Sequence, residues 1–284
     1  MRKVATAVKK DYAAIAAQKI HKPAQARRRK PRFLVYGRNK KGKTRLCSTA
    51  PNVLILDPES GADEEVKSNP DVWPLESWDD VNDAYMFLKG GGKSPVTGEP
   101  YEWVAIDGGT RLSNMSLRWV MKDEEERNLE RRPGQIGKQD YGRSGEMFKG
   151  MLLNMHSLYH IGVIITCQER MVEVTDLGEQ DEDADSVAAV FVPDLPKGAR
   201  SHVNALVDVI GRIYTVEGTF KRKFKKRGTE EYVTREVTGI QRRLWIGPHA
   251  SYDTGYRSQY VLPSYIPDPT IPTLVRIMRE GKVT

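Results

Sequence analysis

Four apolar runs set the rhythm of the chain. Residues 33–36, 53–57, 103–107 and 161–168 are apolar almost throughout and do not alternate with polar positions. That pattern predicts strands buried on both faces, as in a parallel sheet. Helical spacing fills the gaps between them. In residues 78–89, Val81, Ala84, Tyr85 and Leu88 fall on one helical face. Residues 43–49, 112–128 and 148–160 also read as helices. Strands alternating with helices predict an α/β fold, with a mostly parallel central sheet, flanking helices and right-handed crossovers.

Beyond Gln168 the period changes. Residues 171–175 and 187–192 alternate like the arms of a hairpin around an acidic stretch holding Glu179, Asp181, Glu182, Asp183 and Asp185. Residues 201–208 read as a short helix and 270–279 as a terminal one. Residues 209–224 and 231–246 read as a long C-terminal β-hairpin with Lys221, Arg222 and Lys223 near its tip. Residues 90–100 and 131–145 are polar and glycine-rich, which predicts a loop or hairpin and a mobile loop. The reading divides the chain into a basic arm (1–32), a core (33–250) and a tail with a short helix (251–284). In the arm, residues 4–20 can form a helix with a basic face, and 27–32 read as an extended basic linker. A solvated tail, an electrostatic arm on a phosphate backbone and a cleaved presequence all fit its composition.

Composition narrows the function classes. With 284 residues, 39% of them hydrophobic and 29% charged, the chain can bury a full core without disulfides. No apolar run approaches the roughly 20 residues of a membrane helix, so a cytoplasmic, membrane-free location is expected. Two cysteines, Cys47 and Cys167, sit in apolar segments and predict buried, reduced thiols. The net charge of +7 leans toward a polyanionic partner.

The candidate chemistry lies at Gly37-Arg38-Asn39-Lys40-Lys41-Gly42-Lys43-Thr44, which fits G-x-x-x-x-G-K-[ST] between a strand and a helix. Glycines let backbone N–H groups turn inward as an anion cradle. Lys43 reaches the β- and γ-phosphates and the Thr44 hydroxyl binds Mg²⁺. Arg45 follows directly and completes the expected nucleotide-binding set. Asp107, closing a buried strand, is the expected carboxylate behind Thr44 in the surroundings of Mg²⁺. Hydrolysis further needs a group that activates water. Glu59 follows the second strand and reads either as that group or as a solvated loop carboxylate. Gln168 ends the fourth strand and reads either as a γ-phosphate sensor or as a strand-end amide bonded to backbone. No guanine-selective Asn-Lys-x-Asp motif is visible, so ATP is the expected nucleotide.

This order of parts resembles the RecA-like recombinase core. More closely, it is similar to the phage-encoded AAA-type nucleotide-binding proteins that include single-strand annealing ATPases. The resemblance spans about residues 31–246, by motif order. It implies that Glu59 is the catalytic base and that Gln168 couples the γ-phosphate to DNA, with Lys43 completing the catalytic set. It also implies two loops binding single-stranded DNA, at about 131–145 and 169–200. Arg131, Arg132, Lys138, Tyr141 and Arg143 suit the first, since cations track phosphates and an aromatic stacks a base. In the second, acidic residues would repel DNA and leave Arg170, Lys197 and Arg200 as contacts. A homo-oligomeric ring or filament is implied, with a single-strand-binding protein as a further partner. Lys221, Arg222 and Lys223 become either cations donated to a neighbour's site or a solvated tip. The expectation is therefore an ATP-hydrolysing, single-stranded-DNA-binding protein of recombination, annealing or replication. A nucleotide-gated binding module with little turnover is the alternative.

Overall fold

The computed structural model describes residues 11–20, 29–62, 69–173, 189–225 and 232–281. A short exposed helix, α1 (Tyr12–Lys19), begins it, capped by the Asp11 carboxylate. The core follows as β1 (Arg32–Tyr36), α2 (Lys43–Cys47), β2 (Val53–Asp57), β3 (Asp71–Pro74), α3 (Trp78–Lys89), β4 (Trp103–Asp107), α4 (Gly109–Arg127), α5 (Lys138–Ser157) and β5 (Gly162–Cys167). Then come β6 (Glu169–Glu173), β7 (Ala189–Pro193), α6 (Lys197–Leu206), β8 (Val209–Lys225), β9 (Tyr232–Trp245), β10 (Gly255–Tyr256), β11 (Tyr265–Pro267) and α7 (Ile271–Glu280).

The main sheet runs β11-β9-β8-β1-β5-β4-β2-β3. Every pairing from β8 through β1, β5, β4 and β2 to β3 is parallel. β9 and β11 add antiparallel strands at one edge, and β10 pairs antiparallel with β8. The four uninterrupted apolar runs become β1, β2, β4 and β5, buried at every position. Alternate side chains feed two cores, because successive Cβ atoms point to opposite faces. Leu34, Leu56, Ile106 and Ile165 meet α3 to α6 on one face. Phe33, Ile55, Ala105 and Ile164 meet α2 and α7 on the other.

Several expectations change. The segment 131–145 is not a mobile loop throughout: α5 begins at Lys138 and takes in Tyr141 and Arg143. Gly142 and Gly145 suggested a loop, yet tertiary packing overrides their low helix propensity. Ser116 and Ser144 are small and buried, and their hydroxyls lie 3.1 Å apart where α4 and α5 meet. The Asp140 carboxylate, in the first turn of α5, accepts the Gly137 N–H at 2.7 Å and the Arg131 guanidinium. Residues 251–284 also contribute to the sheet and its packing, and their expected helix is α7. β10 and β11 extend the sheet, and Ile271, Leu274 and Ile277 of α7 are buried. The arm likewise ends before 32. Arg32 is buried within β1, while Arg29 grips the Asp208 carboxylate at 2.7 and 2.5 Å. β3 was unforeseen. Its four residues end in Pro74, which an edge strand tolerates.

Two predictions concern this framework. The side chain of Asp140 is 3% exposed, so Arg131 holds a buried carboxylate. Removing one partner of such a pair leaves the other uncompensated. Arg131→Ala is therefore expected to lower the melting temperature clearly more than Arg132→Ala, measured by thermal denaturation. At the other end of α5, burial, with Arg32 and Arg29 nearby, holds the His156 pKa below its ordinary 6.5; His202 acts in the same direction and Asp208 opposes. The unfolded chain then takes up a proton that the folded chain refuses. Stability is full above pH 6.5 and falls as pH drops below it. His156→Gln should flatten this decline in denaturant titrations across that window.

Candidate functional site

The turn after β1 brings the chain's polar chemistry to the C-terminal end of the parallel strands. Gly37 passes so close to β8 that an added Cβ would sit 2.4 Å from the Ile213 carbonyl oxygen. Gly42 adopts φ 93° and Lys40 φ 59°, the left-handed conformations that let backbone amides converge. Lys43 folds back over the loop, its ammonium donating to the carbonyls of Gly37 and Arg38 at 2.8 and 3.0 Å. Burial lowers its pKa, while Asp107 and Glu59 oppose that shift.

Asp107 ends β4, two strands away from β1. The intervening strand, β5, places Thr166 beside both: Thr166 pairs with Val35 on one side and with Asp107 on the other. The Thr166 hydroxyl donates to one Asp107 oxygen at 2.6 Å, and the Thr44 hydroxyl to the other at 2.5 Å. Burial raises the Asp107 pKa, and these two hydrogen bonds work against the rise. Thr166 was missed in the sequence; its only signal was a small hydroxyl near the end of an apolar run.

Glu59 belongs to a turn organised by Asp57, whose carboxylate accepts from the N–H groups of Glu59 and Ala62 at 2.8 and 2.7 Å. The turn leans on Gly108: a Cβ there would meet the Glu59 side chain at 3.2 Å. Burial, then the Asp107 charge, raises the Glu59 pKa. Gln168 is fixed through its backbone, its N–H donating to Thr110 Oγ1 at 3.1 Å and its carbonyl accepting from Asp194 at 2.8 Å. These elements enclose a cavity of about 680 Å³ lined by Asn39, Lys40, Gly42, Lys43, Thr44, Arg45, Asp57, Glu59, Asp107, Thr166, Gln168 and Arg242, among others. The predicted set Lys43, Thr44, Glu59, Asp107 and Gln168 thus shares one space. Lys41 points away, donating to Thr215 on β8 at 3.0 Å. Arg38 pairs with Glu169 at 2.9 Å, and Arg212 holds the other Glu169 oxygen at 2.9 Å.

The donor set fits Mg²⁺. The Thr44 hydroxyl and the Asp107 carboxylate are adjacent hard oxygens. Mg²⁺ takes few protein ligands and fills its shell with water and phosphate oxygens. No group of three or more His, Cys, Asp or Glu side chains suited to a metal occurs among the described residues.

The predicted DNA contacts fare unevenly. Arg131 is engaged by Asp140, and Arg143 by Asp123 and Glu124. Arg170 lies 3.7 Å from Asp194. Arg200 is buried in α6, at 7% exposure, where a DNA backbone does not reach. Arg132, Lys138, Tyr141 and Lys197 are exposed. The acidic 179–185 segment lies outside the described residues, as do the side chains of Arg222 and Lys223; Lys221 is exposed. Cys47 and Cys167 are buried free thiols. No helix among the described residues is long and apolar enough to cross a membrane.

Comparison with known proteins places the chain. No curated protein matches it. Among solved structures, it is similar to the RadB recombinase, at 13% identity and a TM-score of 0.37, covering 81% of this chain and 87% of that one. It is also similar to a KaiC-like protein from the hyperthermophilic archaeon Pyrococcus horikoshii OT3, at 12% identity and a TM-score of 0.33, covering 76% and 86%. A family model described as an AAA domain matches residues 29–258, which hold the whole cavity and nearly all of the sheet. With the phosphate-binding loop, Asp107 and Glu59 inside that match, the chain belongs to the AAA domain family AAA_24.

Proposed function

We propose that this protein binds and hydrolyses ATP, with Mg²⁺, and couples that cycle to single-stranded DNA in recombination, annealing or replication of the phage type. The observation that carries the ATPase part is the bridge from Thr44 of the glycine loop to Asp107, with Glu59 in the same cavity. Lys43 and the loop amides hold the phosphate chain. Thr44 and Asp107 would hold Mg²⁺, which would supply positive charge to the phosphate oxygens. Glu59 takes the proton of the attacking water as the bond from the γ-phosphorus to ADP breaks. A carboxylate made more basic by burial suits that role. Gln168 faces the cavity and links it to β6, the strand that starts at the next residue.

Support for DNA comes from charge. The net charge is +7, and Arg132, Lys138, Lys197 and the aromatic Tyr141 are exposed. Cations of this kind neutralise phosphates and an exposed ring stacks on a base. We further propose that the chain works as a homo-oligomer, ring or filament, and that a single-strand-binding protein shares its DNA.

The test is ATP turnover by the full chain with and without single-stranded DNA, beside Lys43→Ala and Glu59→Gln. DNA is expected to raise turnover several-fold. Lys43→Ala should lose nucleotide binding. Glu59→Gln should still bind ATP while turnover falls about 10²–10⁴-fold, the usual worth of a general base. Turnover indifferent to DNA would sink the coupling. Binding without turnover in the unaltered protein would instead identify a nucleotide-gated module.

A further inference from the structure

The long hairpin of β8 and β9 touches the glycine loop at one rung. Thr215 and Arg242 face each other across the ladder. Thr215 accepts the Lys41 ammonium at 3.0 Å. Arg242 lies across Gly42: a Cβ added there would stand 2.6 Å from its Nε and 2.8 Å from its Cδ. Arg242 also lines the nucleotide cavity, together with Lys43, Thr44 and Arg45. Backbone contacts fix the base of this side chain, since the Arg242 carbonyl accepts the Asp268 N–H at 2.7 Å beside the β11 pairing.

We propose that Arg242 is a binding residue for the nucleotide's phosphate chain, supplied by the same polypeptide and reaching the phosphates across Gly42. This rests on the nucleotide-binding reading above. The cavity carries three carboxylates, Asp57, Glu59 and Asp107. Lys40, Lys43 and Arg45 share that lining, and Arg242 adds a cation to it from across Gly42. A guanidinium suits the task, because its planar fork meets two phosphate oxygens at once. The arrangement also explains Gly42 twice over. Its φ of 93° disfavours any side chain, and a Cβ would occupy the space that the Arg242 side chain crosses. Through the shared rung, the hairpin contacts the loop at both Lys41 and Gly42.

The test measures ADP and ATP dissociation constants of the full chain by calorimetry, for the unaltered protein, Arg242→Ala, Arg242→Gln and Arg242→Lys, with melting temperatures alongside. Charge-assisted hydrogen bonds imply that Arg242→Ala and Arg242→Gln weaken both nucleotides about 10-fold or more. Arg242→Lys should recover part of the loss, and the salt dependence of ADP affinity should become shallower in the neutral variants. Melting temperatures without nucleotide should stay close to the unaltered value for Arg242→Gln. Unchanged affinity in the Ala and Gln variants would overturn the proposal. So would a loss tracking a fall in melting temperature, because Arg242 would then only support the loop. Lys43→Ala separates the two readings. If it binds ADP as well as the unaltered protein does, the glycine-loop site itself is wrong.

Discussion

A carboxylate in the middle of a sheet imposes strict demands on its neighbours. Asp107 is 7% exposed, and an ionised group so placed is costly unless donors surround it. Two hydroxyls meet the demand, Thr166 from the adjoining strand and Thr44 from the first turn after the glycine loop. Satisfying Asp107 therefore aligns β4, β5 and α2 together. A one-residue slip of β5 would turn Thr166 to the opposite face and seat an apolar side chain against the charge. The same alignment sets the loop opposite Glu59. The stability of the core and the geometry of the site are thus met by one arrangement.

Among the described residues, several of the arginines that make the chain look like a polyanion binder are spent internally. Arg29, Arg131, Arg143 and Arg212 each hold carboxylates that are buried or half-buried. Arg212 also lies over the rings of Phe191 and Tyr252, which gives its charge a second favourable partner. Glu169 joins Arg212 to Arg38 of the glycine loop, directly after Gln168. One carboxylate thus ties the loop to the start of β6.

The sequence by itself determined the parallel core and the phosphate-binding loop. Uninterrupted apolar runs have few stable placements other than the centre of a sheet, so β1, β2, β4 and β5 were legible almost to the residue. The glycine-lysine-threonine spacing is equally self-contained, because it encodes a local backbone shape. Asp107, Glu59 and Gln168 were legible as strand ends, which parallel topology gathers at one edge. Tertiary structure decided the rest. Gly142 and Gly145 suggested a loop, yet the contact of Ser116 with Ser144 and the grip of Arg131 on Asp140 hold that stretch in α5. Whether an arginine is free or paired depends on partners distant in sequence, as with Arg29 and Asp208. Arg242 is 200 positions beyond Gly42 in the chain, and only the pairing of β8 with β9 and β1 brings it over the loop. Local pattern specifies backbone shape and burial, whereas which charges meet is fixed only when the strands take their order in the sheet.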